Sequence, residues 1–338
     1  MTRPSVLVTG AAGFLGRTIS SELLAHGFDV RGLIHRNSIV APGVDAVTGD
    51  VTDPSSLAAA SDGVSVIVHA AARVHVMRET SRDSLSAFRA VNVAGTRALL
   101  DAARQSGAKT FIFISSVKAV AERSSVPLSS ATPPKPVDPY GVSKLEAEQL
   151  VLEASRANAL STLTLRLPAV YGPGMGGNML RLFDLVQREI PIPLGGVTNA
   201  RSIVYSGNVA AAVRHMLCAS VVPVGPFFLA DDRDLSTPEL IRAIAEALGV
   251  KTWLIGIPER GMNAVMHAAR FAAGLGLPNV APAIERVTGS LRVDSGEFRH
   301  ATGFEMPFPT AHGMRQTAAW YLGRLRSTPG PGTGKKRP

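Results

Sequence analysis

Tyr140 and Lys144 stand four residues apart in DPYGVSK, residues 138–144, a spacing that puts both side chains on one face of a helix. An ammonium beside a phenol favours phenolate and lowers its pKa, so Tyr140 is expected to act as an acid or base near neutral pH. Ser116 closes the apolar run TFIFISS, residues 110–116, where it can hydrogen-bond the same substrate oxygen. Taken alone, a Tyr and a Lys four apart read as a surface pair. What gives them weight is the motif that comes first in the chain.

That motif is VLVTGAAGFLG, residues 6–16, an apolar strand turning directly into a helix. Gly10 allows the tight turn, Gly13 lets the backbone approach a phosphate, and Gly16 lets the new helix pack on the strand. The first helical turn, from Phe14 and Leu15, offers unpaired N–H groups and a positive dipole end to a pyrophosphate. Ile19, Leu23 and Leu24 continue the helix, and Gly27 sits where its C-terminal cap belongs.

The next strand, DVRGLIHR at residues 29–36, ends where a dinucleotide fold selects its cofactor. Ile34 stands where an acidic residue would hold a ribose 2′-hydroxyl, and Arg31, His35 and Arg36 make the region positive. This favours NADP over NAD, unless Arg36 is simply solvated. Gly49-Asp50-Val51 closes a third strand where adenine would lie, with Asp50 either an adenine contact or a turn former. A fourth strand over residues 64–68 leads into His69-Ala70-Ala71-Ala72, small residues past which a cofactor can run, with Arg73 just beyond the strand end. A helix is expected over 84–106, with Asn92 in its interior, where its low propensity hints at a specific hydrogen bond. Residues 124–139 are Pro- and Ser-rich and read as a loop.

At this point the chain resembles the extended short-chain dehydrogenase/reductase superfamily, in its nucleotide-sugar 4-epimerase, dehydratase and 4-ketoreductase branch. TGAAGFLG (9–16), HAAA (69–72), VNVAGT (91–96), FIFISS (111–116) and YGVSK (140–144) carry the resemblance, which extends over about residues 5–325. It implies an α/β fold: a Rossmann-type doubly wound parallel sheet with a smaller C-terminal substrate-binding lobe. The dinucleotide domain would span 1–167, with about 200–232 returning to it. The lobe would span 168–199 and 233–326. By the same resemblance, Ser116 polarises the substrate oxygen, Tyr140 transfers the proton, and Lys144 orients the nicotinamide ribose. Asn178, Arg201 and Arg292 contact a UDP-sugar, the two arginines at its diphosphate, and the protein forms a homodimer. Where the family commonly carries a Tyr-Gly pair after the serine, this chain has VKAVA, which leaves the contact made by Lys118 open.

The segments AARVHVMRET, SSVKAV and NMLRLFDLVQREIPIPLG resemble enzymes of bacterial surface-polysaccharide synthesis. The favoured reaction is reduction of a UDP-4-keto-6-deoxy-N-acetylhexosamine, with 4-epimerisation by tightly bound NAD as the alternative. A dehydratase is disfavoured, because Val117 and Lys118 stand where an acidic pair would be. A catalytically silent dinucleotide-binding regulator is disfavoured too, because Tyr140 and Lys144 are both retained.

Composition narrows the remaining classes. The chain has 338 residues, 46% of them hydrophobic, enough to bury a large core. Its +9 charge includes Lys335, Lys336 and Arg337 in a Gly/Pro-rich segment, residues 327–338, read as a disordered tail. The rest of the excess is scattered, which suits an anionic small substrate better than nucleic acid. His69 and His75 lack acidic or thiol partners at ligand spacing, so no metal site is expected. Cys218, the only cysteine, reads as a small buried apolar residue. No uncharged apolar run is long enough for stable membrane insertion and no signal peptide precedes the first strand, so a cytoplasmic enzyme is expected. The apolar, basic stretch 258–277 reads as core packing.

Overall fold

The computed structural model describes residues 4–35, 38–74, 83–157, 160–257, 261 and 288–327. Arg36, His75, the stretch 258–277 save residue 261, and the tail beyond 327 lie outside them. The chain divides into two compact units: Met1–Val170 with Asn199–Leu235 and Gly289–Pro309, and Tyr171–Thr198 with Ser236–Thr288 and Thr310–Pro338. Residues 289–309, expected in the lobe, thus belong to the first unit.

Strands β1 (Ser5–Thr9), β2 (Asp29–Ile34), β3 (Asp45–Thr48), β4 (Val66–His69), β5 (Thr110–Ser116), β6 (Ser124–Leu128) and β7 (Ser161–Leu167) alternate with α1 (Phe14–Ala25), α2 (Pro54–Ser61), α3 (Ser84–Arg89), α4 (Gly95–Ser106) and α5 (Pro139–Arg156). Farther along come β8 (Ala169–Tyr171), α6 (Gly177–Gln187), β9 (Pro191–Ile192), β10 (Ile203–Tyr205), α7 (Ser206–Cys218), β11 (Gly225–Phe228), α8 (Thr237–Leu248), β12 (Trp253–Leu254) and β13 (Leu291–Val293). Helices α9 (Gly296–Thr302) and α10 (Thr310–Ser327) follow.

The main sheet of the first unit has seven parallel strands in the order β11-β7-β5-β4-β1-β2-β3. Strand order reverses at β1 and β4, and ligands of open α/β sheets bind at such switch points. Apolar runs let these strands bury both faces. Val6 and Val8 pack with Ile19, Leu23, Val209 and Val213 on one side. Leu7, Ile67, Phe111 and Phe113 pack with Leu57, Leu99, Ala147 and Val151 on the other.

Two expectations change locally. The loop expected over 124–139 contains β6, which pairs in parallel with β13; Pro127 is tolerated there because the two-stranded edge leaves its missing N–H unneeded. The helix expected over 84–106 is broken into α3 and α4 by a π-turn at Ala90–Ala94. Such turns mark places where a helix is made to carry a specific contact, and this one contains Asn92.

In the second unit, β9 and β12 pair in parallel, and Phe183 of α6 stacks on Tyr321 of α10 with ring centroids 5.6 Å apart. The Tyr321 hydroxyl donates to Asp184 at 2.8 Å.

Candidate active site

The glycine turn has the geometry its sequence implies. Gly10 takes φ +67°, and a Cβ there would meet the Ala71 backbone at 2.9 Å, so the β1 turn and the Ala70-Ala71 end of β4 touch through bare backbone. A Cβ on Gly16 would run into the Gly10 carbonyl oxygen. Gly13 caps α1 without any side-chain hydrogen bond, leaving the N–H groups of Phe14 and Leu15 without intrahelical partners. A backbone cradle at a helix N-terminus, closed to side chains by sterics, fits a dinucleotide pyrophosphate.

The end of β2 departs from expectation. Arg31 Nη1 donates to the Ala60 and Asp62 carbonyls at 3.0 and 2.7 Å, so its guanidinium is spent on the α2 C-terminus and not on a 2′-phosphate. His35 is exposed and lies 3.8 Å from Asp50. One Asp50 oxygen accepts from both the amide and the hydroxyl of Thr52 at 2.8 Å, the geometry of a turn former, which holds its carboxyl below the usual range. Val51 is buried against the α4 glycine, Gly95.

At the other side of the switch point, Ser116 and Tyr140 share a side-chain hydrogen bond. Strand β5 delivers Ser116, and a tight turn at Val117–Ala119 follows it directly. Tyr140 lies in the first turn of α5, whose start is set by Pro139 and by Asp138, which accepts from the Gly141 amide at 2.6 Å. The phenol packs edge-on to Phe88 at 6.0 Å, and the Arg73 guanidinium lies 5.6 Å from the same Phe88 ring.

The expected lowering of the Tyr140 pKa by Lys144 is not what the structure shows. Burial, helped by the Asp138 charge and opposed by the Ser116 hydrogen bond, pushes the phenol up to about 12. Lys144 is buried and points along the sheet: its Nζ donates to the Ile114 carbonyl at 2.7 Å and sits 3.9 Å over the Phe113 ring. Burial pushes it down to about 7, with Glu148 pulling the other way. Glu148 in turn accepts from Ser115 at 2.6 Å and from Arg166 Nε and Nη2 at 3.1 and 2.7 Å. This buried carboxylate, one helical turn beyond Lys144, was missed in the sequence, although residues 140, 144 and 148 share one spacing.

Asn92 binds through its amide to both sides of the site. Its Oδ1 accepts from the Arg73 amide at 2.8 Å, and its Nδ2 donates to the Arg73 carbonyl at 3.1 Å and to Ser143 Oγ at 2.9 Å. Its amide is thus a brace between the strand end and α5. The Ser143 hydroxyl in turn donates to the Tyr140 carbonyl at 2.8 Å.

His69, expected only to pack, completes the same brace. Thr96 donates to the Asn92 carbonyl at 2.7 Å, so it accepts from His69 Nε2 at 3.0 Å. The Ala71 amide donates to Thr9 Oγ1 at 3.2 Å, and the Thr9 hydroxyl donates to His69 Nδ1 at 2.7 Å. One neutral tautomer satisfies every group. Burial, then Lys144, pushes the His69 pKa down to about 3.

Of the three residues expected at a diphosphate, two are neighbours in the first unit, where Arg201 bridges to Leu291 beside Arg292. Asn178 is exposed on the first turn of α6, in the second unit. Arg201 and Arg292 lie in the first. Arg201 donates to the Gly289 carbonyl at 2.7 Å, and Arg292 donates to Asp234 at 2.7 Å. Cys218, expected buried, is exposed at the end of α7. Asn208 is a buried clamp between Asp231 and the Phe308 backbone. A surface groove of about 620 Å³ lies elsewhere, along α3 and α4, lined among others by Arg89, Val93, Arg97 and Asp101. No helix among the described residues is long and apolar enough to cross a membrane.

With this geometry in hand, comparison with known proteins is direct. The sequence model of the NAD dependent epimerase/dehydratase family matches residues 6–225. The chain is 32% identical over 326 residues to a UDP-glucose 4-epimerase of Vibrio cholerae, covering 94% of this chain and 95% of that protein. It is 33% identical over 267 residues to a ceramide reductase of Caulobacter vibrioides, covering 77% of this chain and 75% of that one. The structure of the Thermus thermophilus UDP-glucose 4-epimerase in complex with NAD superposes with a TM-score of 0.72 at 25% identity, covering 94% of this chain and 99% of the other.

Proposed function

The chain belongs to the NAD dependent epimerase/dehydratase family, and from that premise we propose that it inverts carbon 4 of a UDP-hexose or UDP-N-acetylhexosamine, with NAD retained between turnovers. The observation that carries the choice is at the end of β2. Arg31, one of the three residues expected to hold a 2′-phosphate, is committed to the Ala60 and Asp62 carbonyls, and His35 lies beside Asp50, which supports NAD over NADP; Arg36 lies outside the described residues.

The glycine turn, the first turn of α1 and Ala70-Ala71 would hold the dinucleotide. NAD, when bound, supplies a hydride acceptor that can return what it takes. In this reading Tyr140 Oη, as phenolate, takes the proton of the sugar 4-hydroxyl and later gives that proton back to the 4-oxygen. Ser116 hydrogen-bonds that same oxygen. Lys144 lies one helical turn on, its Nζ held at the Ile114 carbonyl, and would orient the nicotinamide ribose. Asn178, Arg201 and Arg292 remain the proposed diphosphate contacts, an arginine fork matching two phosphate oxygens. For Arg201 and Arg292, that role requires them to be shared with Gly289 and Asp234.

A second reading, reduction of a UDP-4-ketohexosamine, has one observation in its favour. The Tyr140 phenol, pushed up to about 12, stays protonated at neutral pH and is ready to donate to a forming alkoxide. Denaturing freshly purified protein and identifying the dinucleotide released decides between them. Near-stoichiometric NAD, with interconversion of UDP-glucose or UDP-N-acetylglucosamine and its 4-epimer followed by proton NMR, is expected. Protein that releases nothing and binds NADPH more tightly than NADH overturns the epimerase in favour of the reductase.

A further inference from the structure

Lys118 touches Ser116 and two residues at the start of α5 on either side of Tyr140, Asp138 and Gly141. Its amide donates to Ser116 Oγ at 3.3 Å. Its carbonyl oxygen lies against Gly141 so closely that any Cβ there would collide with it, so the first turn of α5 rests on the Lys118 backbone. Its Nζ donates to Asp138 Oδ2 at 2.6 Å while the other Asp138 oxygen caps the Gly141 amide. Glu122 Oε1 lies 2.8 Å from the same ammonium. Two carboxylates on one ammonium leave it little capacity to hold an anionic substrate.

We infer that Lys118 is a positioning residue, clamping the strand end that carries Ser116 to the helix start that carries Tyr140 and offsetting the Asp138 charge beside the phenol. The inference rests on the proposed role of Tyr140 in proton transfer. The groups around that phenol are Ser116 from β5, Lys118 and then Glu122 from the turn after it, and Asp138 and Lys144 on its own helix. Phe88 of α3 separates it from Arg73. The Arg89–Glu146 pair lies farther along α3 and α5, and Arg166 of β7 is bound to Glu148. Asp138 is the charge that raises the phenol. An ammonium on Asp138 weakens that field, and its removal lets the full carboxylate charge act.

The test is the ionisation of Tyr140 in the full-length protein with NAD added, read from the Cζ resonance of ring-13C-labelled tyrosine. The chain has four tyrosines, and Tyr140→Phe identifies the resonance. Lys118→Met is expected to raise the midpoint by about one pH unit or to remove ionisation from the accessible range. Asp138→Asn, which keeps a capping oxygen, lowers it, and Lys118→Arg leaves it unchanged. In the Lys118→Met/Asp138→Asn double variant the midpoint matches that of Asp138→Asn. A midpoint unmoved by Lys118→Met, with a raised KM for UDP-glucose, makes Lys118 a substrate contact and overturns the inference. Turnover surviving in Tyr140→Phe instead overturns the role of Tyr140 itself.

Discussion

The two sides of the switch point between β1 and β4 are built from different materials. At the glycine turn the chain works by leaving side chains out: Gly10, Gly13 and Gly16 bring backbone against backbone and leave N–H groups facing outward. Around Tyr140 it works by burying charge, with Lys144, Glu148 and Arg166 all out of water. A steric site depends on a few local positions. A buried electrostatic one depends on every neighbour, and each of its members is costly to leave unpaired.

The largest effect should come at the steric side. Gly16→Val puts a branched side chain into the Gly10 carbonyl, and it is expected to abolish NAD binding in a calorimetric titration. Retained binding would show that the turn tolerates side chains and would dissolve the contrast.

At the electrostatic side, Glu148→Gln leaves Arg166 buried without its counter-charge. The expected loss is about 3–5 kcal/mol in urea unfolding. A loss near that of an exposed pair, about 0–1 kcal/mol, would mean that water reaches the network.

A smaller effect joins the two sides through His69. Its folded pKa of about 3 lies below its ordinary value of 6.5, so the unfolded chain binds the extra proton between those values. Stability is therefore lost as pH falls from 6.5 towards 3. His69→Phe lowers stability at pH 7 by taking away the acceptor of the buried Thr9 hydroxyl and the donor to Thr96, yet it should flatten that acid limb in thermal unfolding scans. An unchanged limb would assign the acid sensitivity to other groups.

What the sequence made legible follows the same division. The glycine turn could be read because its causes lie within eleven residues, and Ser116 because it ends a continuous apolar strand. Spacing placed Tyr140 and Lys144 on one face but said nothing of where the ammonium is held; the Ile114 carbonyl and the Phe113 ring come from another element. The direction of the Tyr140 shift was misread for that reason. Asn92 announced a specific hydrogen bond by its poor helix propensity, while its partners and the π-turn that aims it needed the fold. His69 gave no signal at all, since a chain of neutral hydrogen bonds through Thr9 and Thr96 has no local pattern. Arg31 looked free for a phosphate only because the carbonyls it meets lie some thirty residues on.

If Tyr140 moves the proton while the glycine turn holds the dinucleotide, the two roles are separable by one hydroxyl. Tyr140→Phe should be compared with wild type for NAD affinity and for turnover of UDP-glucose or UDP-N-acetylglucosamine, on the same preparation. Turnover is expected to fall by about 10²–10⁴-fold with NAD affinity within twofold. Turnover within a few fold of wild type would contradict that role for Tyr140.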